Sequence, residues 1–98
     1  MKTLQEKIKE KIPTLVVFQH AGNTEAVDTE NLIEELRKEF GERAAIVRVD
    51  ASFNGNVKEH FKLKEYPTWI LYKEGEELMR ESGHKTLGDL TDMVKRAL

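Results

Sequence analysis

The sequence predicts a single α/β domain: a mixed four-stranded sheet in the strand order second, first, third, fourth, flanked by four helices. Three observations lead there. Two runs of apolar and β-branched residues, Thr14 to Phe18 and Ala44 to Asp50, flank a helix-length amphipathic stretch, which is the pattern of a parallel β-α-β unit. A third apolar run, Pro67 to Tyr72, leads into the turn Glu74-Gly75-Glu76 and a charged segment, which is the pattern of an antiparallel hairpin. The strongly apolar first and third strands belong at the centre of the sheet, with helices over both faces.

Each element has its own local reason. Leu4, Ile8 and Ile12 form a stripe at four-residue spacing on a short first helix that Pro13 ends. Thr14 to Phe18 reads as a strand covered on both faces. The polar connection Gln19-His20-Ala21-Gly22-Asn23-Thr24 then bends at its glycine and offers Asn23 or Thr24 as a helix cap. From Glu25 to Phe40 the spacing is helical, with Leu32, Leu36 and Phe40 on one face, Val27 and Ile33 beside it, and Gly41 as the stop.

Ala44 to Asp50 reads as a second buried-type strand. A shorter helix spans Asn56 to Phe61, with Asn56 and Glu59 spaced as a capping box variant. Glu77 to Ser82 returns as an edge strand whose Arg80 and Glu81 discourage further pairing. The capping box Thr86-Leu87-Gly88-Asp89 opens a final helix to Leu98, with Leu87, Leu90, Val94 and Ala97 inward.

Composition narrows the function classes. The chain has 98 residues, enough for one modest core and too few for two. Charged residues make up 35% of it but nearly cancel to a net charge of -2, so no face is prepared for nucleic acid or anionic lipid. No apolar run approaches the roughly 18 residues that span a bilayer, and the first residues have no apolar core of a secretory signal. A soluble, cytoplasmic protein is therefore expected. The absence of cysteine excludes disulfides and Cys-ligated metal sites.

Taken together, these elements resemble the thioredoxin superfamily over nearly the whole chain. Val47-Arg48-Val49-Asp50 resembles that family's second core strand with its terminal aspartate. Tyr66-Pro67-Thr68, the apolar run after it and Lys73-Glu74-Gly75 resemble its cis-proline hairpin, and Gly83 falls where thioredoxins close their last strand. The resemblance implies a thioredoxin-like fold without the extra N-terminal strand of full-length thioredoxins.

What the resemblance does not carry over is the chemistry. With Phe18 on the aromatic position of the first strand, the two motif cysteines fall on Asn23 and Ala26, with Thr24 and Glu25 between them. Thiol-disulfide exchange needs a thiolate, and neither an amide nor a methyl group can form one. Val17 stands where the family has a buried carboxylate, Gly22 where it has a tryptophan and Ile46 where it has a lysine. The loss is coordinated across the site.

What remains is a candidate ligand or peptide groove made of Gly22, Asn23, Thr24, Ala26, Tyr66 and Pro67. In the family, the backbone of the residue before the cis-proline, here Tyr66, pairs with an extended peptide. The bland alternative is that Pro67 only shapes the strand end. Backbone N–H groups at Gly22 to Thr24 suit an anion, or they simply cap their own helix. His20 falls near Asn23 and Pro67, but no nucleophile completes a catalytic set, and His20, His60 and His84 lack ligand spacing. Trp69 and Tyr72 read as core residues, and the mixed charges from Glu30 to Lys38 as a solvated helix face.

The leading expectation is a redox-inactive binding or interaction module for a protein or extended peptide, with no catalytic residue, no cofactor, no metal, no nucleic acid and no membrane. Two other readings stay open: a glutathione-linked or other non-cysteine enzyme using a helix-end hydroxyl such as Thr24, and a ligand-free structural or designed domain. The oligomeric state is not legible in the sequence.

Overall fold

The computed structural model describes residues 3–20, 26–51 and 55–98. The element order is α1 (Leu4–Ile8), β1 (Thr14–Gln19), α2 (Ala26–Phe40), a 3-10 turn (Gly41–Arg43), β2 (Ala45–Asp50), α3 (Gly55–Phe61), β3 (Thr68–Lys73), β4 (Glu76–Ser82) and α4 (Leu87–Lys95). The sheet order is β2-β1-β3-β4, with β1 parallel to β2 and antiparallel to β3, and β3 antiparallel to β4. This is the topology that the crossover and hairpin patterns predict.

Alternation along the central strands divides the core in two. Leu15 and Val17 of β1 with Trp69 and Leu71 of β3 face Ile33, Leu36 and Phe40 of α2 and Leu90, Met93 and Val94 of α4. Val16 and Phe18 with Ile70 and Tyr72 face the opposite way, toward Phe61 and Leu63, and Leu4, Ile8 and Val57 pack at the margin. On α2 the inward residue is Ile33 and Leu32 is only half-buried, so the apolar stripe is rotated slightly from its predicted centre. On α4 the capping box forms in full between Thr86 and Asp89, but Leu87 is exposed and Met93 takes its place inside. That helix ends at Lys95, three residues before its predicted end, and the Lys73 ammonium donates to Ala97 O just beyond it at 2.9 Å.

Four further expectations need correction. The first helix stops at Ile8 rather than reaching Ile12: its end tightens into i→i−3 bonds, Lys9 N to Glu6 O and Glu10 N to Lys7 O, both at 3.3 Å, and the hairpin tip seats on the carbonyls of Ile8 and Glu10. Glu74 N donates to Glu10 O at 2.9 Å and Gly75 N to Ile8 O at 2.8 Å. The two tip residues have φ of 54° and 86°, a two-residue loop of the left-handed kind that matches strand twist, so Glu76 is already in β4. The strand β2 is half-exposed rather than buried, because it lies at the edge of the sheet. The third helix begins at Gly55, so Asn56 lies inside its first turn and cannot be its cap.

Both edges of the sheet carry charge. On β2, Arg37 of α2 donates twice to Ile46 O, at 3.3 and 2.9 Å, and Arg48 pairs with Glu30 at 2.7 Å. On β4, Arg80 holds Glu77 through two nitrogens, at 3.1 and 2.8 Å, and also donates to Phe61 O at 2.8 Å and to Lys62 O at 3.3 Å. One guanidinium thus ties the last turn of α3 to the outer strand, supplying partners to carbonyls that the helix leaves open. The hydrogen bonds from Arg80 hold the Glu77 carboxyl below the usual carboxylate range.

Tyr72 lies beside this pair. Burial first, and then the Glu77 carboxylate, push its phenol from 10.0 up to about 12. The fold therefore favours the neutral phenol. Its contribution to stability is complete below the ordinary value and is lost as pH rises through the raised one, because above the ordinary value the unfolded chain releases the proton first. In guanidinium titrations from about pH 9 to pH 12, the wild-type midpoint is expected to fall more steeply than that of Tyr72→Phe. Parallel slopes for the two proteins would contradict it.

Candidate functional site

Because β1 and β3 run antiparallel with Phe18 opposite Thr68, the end of β1 and the start of β3 share one end of the sheet. Ser82, at the end of β4, pairs with Thr68 and joins them there. At this end the structure places Tyr66, half-buried, and Pro67, buried, joined by a cis peptide bond. Gly83, with φ of 86°, donates its N–H to Pro67 O at 2.8 Å and accepts the Trp69 indole N–H at 3.2 Å. A side chain would be strained at that φ, and this glycine pins the proline segment to the end of the outer strand. The Thr68 hydroxyl donates to Glu65 O and closes the loop from the other side.

No hydrogen bond from another described residue reaches the backbone N–H or C=O of Tyr66. Its ring packs instead against His20, with centroids 5.4 Å apart and planes at 54°. The structure therefore brings together Tyr66, Pro67 and His20. Ala26 opens α2. Gly22, Asn23 and Thr24 lie outside the described residues, and so does Glu25. Among the described residues, no cluster of histidines and carboxylates could hold a metal ion.

Two positions where the resemblance implies charge are apolar, Val17 opposite Trp69 and Ile46 beside Leu15. Val17, Phe18 and Ile46 are all buried, Val17 and Ile46 in the cluster against α2. No ionisable group stands at either position, so neither can relay a proton toward the start of α2.

One residue escaped the sequence reading. The sequence places Gln19 in the polar connection, yet it is the last residue of β1, in register with Asp50, and only 4% exposed. Its parity places it on the same face as Leu15 and Val17. Its backbone carbonyl is used by Ala51 N at 2.7 Å, but neither polar atom of its side chain has a partner among the described residues. The available signal was a strand pattern that continues one residue past its last apolar side chain. A buried amide without hydrogen bonds opposes folding by about 1–3 kcal/mol. Gln19→Met keeps the length and removes both polar atoms, so it should raise the free energy of unfolding by about 1 kcal/mol. Chemical denaturation measures this, and an unchanged or lower midpoint would mean that the amide is satisfied in solution.

Comparison with known proteins agrees with this geometry. A protein-family model described as Thioredoxin matches residues 2–96. The chain is 30% identical over 66 residues to Thioredoxin 2 of Plasmodium falciparum, covering 67% of this chain but only 42% of that relative's length. It is 21% identical to the thioredoxin of Rickettsia felis over 94 residues, covering 96% of this chain and 90% of that one. Among solved structures, it superposes on a designed protein with a TM-score of 0.84 at 20% identity, covering 95% of this chain and 82% of the other. It also matches the germline-specific thioredoxin Deadhead of Drosophila melanogaster with a TM-score of 0.81 at 16% identity, covering 92% and 85%. At these identities the structural matches speak for the fold alone.

Proposed function

Because the chain belongs to the thioredoxin family and contains no cysteine, we propose that it is a redox-inactive member that binds an extended peptide or protein segment along the backbone of Tyr66, beside Pro67. The observation that carries this reading is the backbone of Tyr66, which takes no hydrogen bond from another described residue, just before a central strand and next to a proline held by Gly83. Main-chain pairing at such a position needs no thiol and tolerates many sequences. The apolar Val17 and Ile46 support the negative half of the reading, since a thiol-exchange site uses charge to form and stabilise its thiolate.

Two measurements test the two halves separately. In dithiothreitol-driven insulin reduction, the protein should give the same rate as buffer alone, and turnover above that control would overturn the redox-inactive assignment. In an amide-shift screen with unstructured peptides, immobile signals at Tyr66, Thr68 and Gly83 across the panel would overturn the docking edge. Reduced glutathione belongs in the same screen, and movement confined to the start of α2 would favour a glutathione-linked enzyme.

A further inference from the structure

We propose that the hollow between the C-terminal end of α3 and β4 takes an acidic side chain, a carboxylate or a phosphate monoester, of the peptide bound along Tyr66. The inference rests on the docking edge above and adds the chemistry of one side chain. The hollow has a volume of about 490 Å³ and is lined by Lys62, Lys64, Thr68, Glu77, Arg80 and Ser82.

Its charge is not that of the chain as a whole. Three cations face one carboxylate, which leaves two positive charges in a protein whose net charge is -2. The one carboxylate is committed, since Glu77 is held through both oxygens by Arg80. Arg80 is itself fixed by Phe61 O and Lys62 O, so it forms a rigid wall of the hollow rather than a mobile surface charge. Lys62 and Lys64 are exposed and make no ion pair with any described residue. Lys62 lies close enough to the committed Glu77 to help lower its carboxyl, whereas Lys64 has no ion pair with any described carboxylate, and the exposed Ser82 hydroxyl adds a neutral donor.

Position links this hollow to the edge. Thr68 lines it and stands two residues after Tyr66, a reach of about 7 Å along extended chain. A peptide paired at Tyr66 thus carries a side chain within one or two positions of the lysines. Side chains on an extended peptide alternate faces, so acidity is needed at one position and not at its neighbours. A single small hollow on an acidic protein does not provide the continuous cationic track that a nucleic acid backbone needs.

The test uses the full chain, labelled for amide shifts, with two probes. Inorganic phosphate alone should move the Lys64, Thr68 and Ser82 signals in the wild type and leave them still in Lys62→Gln/Lys64→Gln. Octapeptides of alanine, threonine and valine, each carrying one glutamate at successive positions, are compared with their glutamine counterparts. At one position the glutamate peptide should bind about fivefold more tightly at low salt, with that advantage lost in the double variant and in high salt. Lys64→Gln alone, which leaves the left-handed Lys62 untouched, should lose about half of the effect. Equal binding of glutamate and glutamine peptides at every position, with shifts at Tyr66 retained, would overturn the hollow and spare the edge. Phosphate shifts at the hollow with no peptide shift at Tyr66 would overturn the edge and with it the peptide as the source of the acid.

Discussion

Replacing Trp69 by alanine should lower the free energy of unfolding by about 3–5 kcal/mol, the range for removing a buried large aromatic side chain. Trp69 is 1% exposed near the start of β3, opposite Val17 of β1, in the cluster that joins the sheet to α2 and α4. Its indole N–H also donates to Gly83 O. Alanine therefore opens a cavity under both helices and releases the contact that fixes the end of β4. Small domains have only about 5–15 kcal/mol of stability in all, so the variant should show a much lower denaturation midpoint. Trp69→Phe separates the two contributions: it keeps most of the apolar volume, loses the hydrogen bond, and should be destabilised by about 1–2 kcal/mol. An alanine variant within 1 kcal/mol of wild type would mean that the cavity collapses at little cost, against the close packing described here.

Phe61→Ala should be nearly as damaging, by about 3–4 kcal/mol, but in a different way. Phe61 is 9% exposed and touches Phe18 at 4.7 Å between centroids, Tyr72 at 6.4 Å and His60 at 4.8 Å. In α3 it is the anchor, since its inward neighbour Val57 is only half-buried. Pairs of this kind add about 0.5–1.5 kcal/mol beyond the area they bury. Losing them should detach α3 locally before the sheet unfolds. Amide exchange at residues 57–61 should therefore accelerate more than exchange in β1 and β3. Uniform acceleration across the chain would instead mean that α3 opens only with the whole domain.

The sequence could be read as far as its signals were local. The apolar runs of β1 and β3, the amphipathic α2 and the Thr86-Asp89 box are each contained within a few consecutive residues, and the strand order follows from them. Errors arose where a distant element decided the outcome. Ile12 keeps the helical spacing, yet the chain after Ile8 leaves the helix and offers the carbonyls of Ile8 and Glu10 to the hairpin tip. Ala45 to Val49 is as apolar as a buried strand, but an edge position leaves alternate residues in water. Gln19 looks like the first residue of a loop because its side chain is polar, and only the register with Asp50 shows it inside.

The candidate site divides along the same line. Tyr66 and Pro67 were legible because an X-Pro pair at the mouth of an apolar run is a local pattern. The cationic hollow was not, because Lys62, Lys64 and Arg80 come from segments distant in sequence that only the fold brings together.

The bonds from Glu74 and Gly75 to the carbonyls of Glu10 and Ile8 join the first turn of the chain to a hairpin made much later in its length. They close a long stretch of chain, so their formation carries a larger loop-closure entropy cost than any contact within one element. These two amides also form a built-in clasp reporter. A probe of their protection reads whether the N-terminal segment is seated on the body of the domain, independently of anything that occurs at the proline end of the sheet.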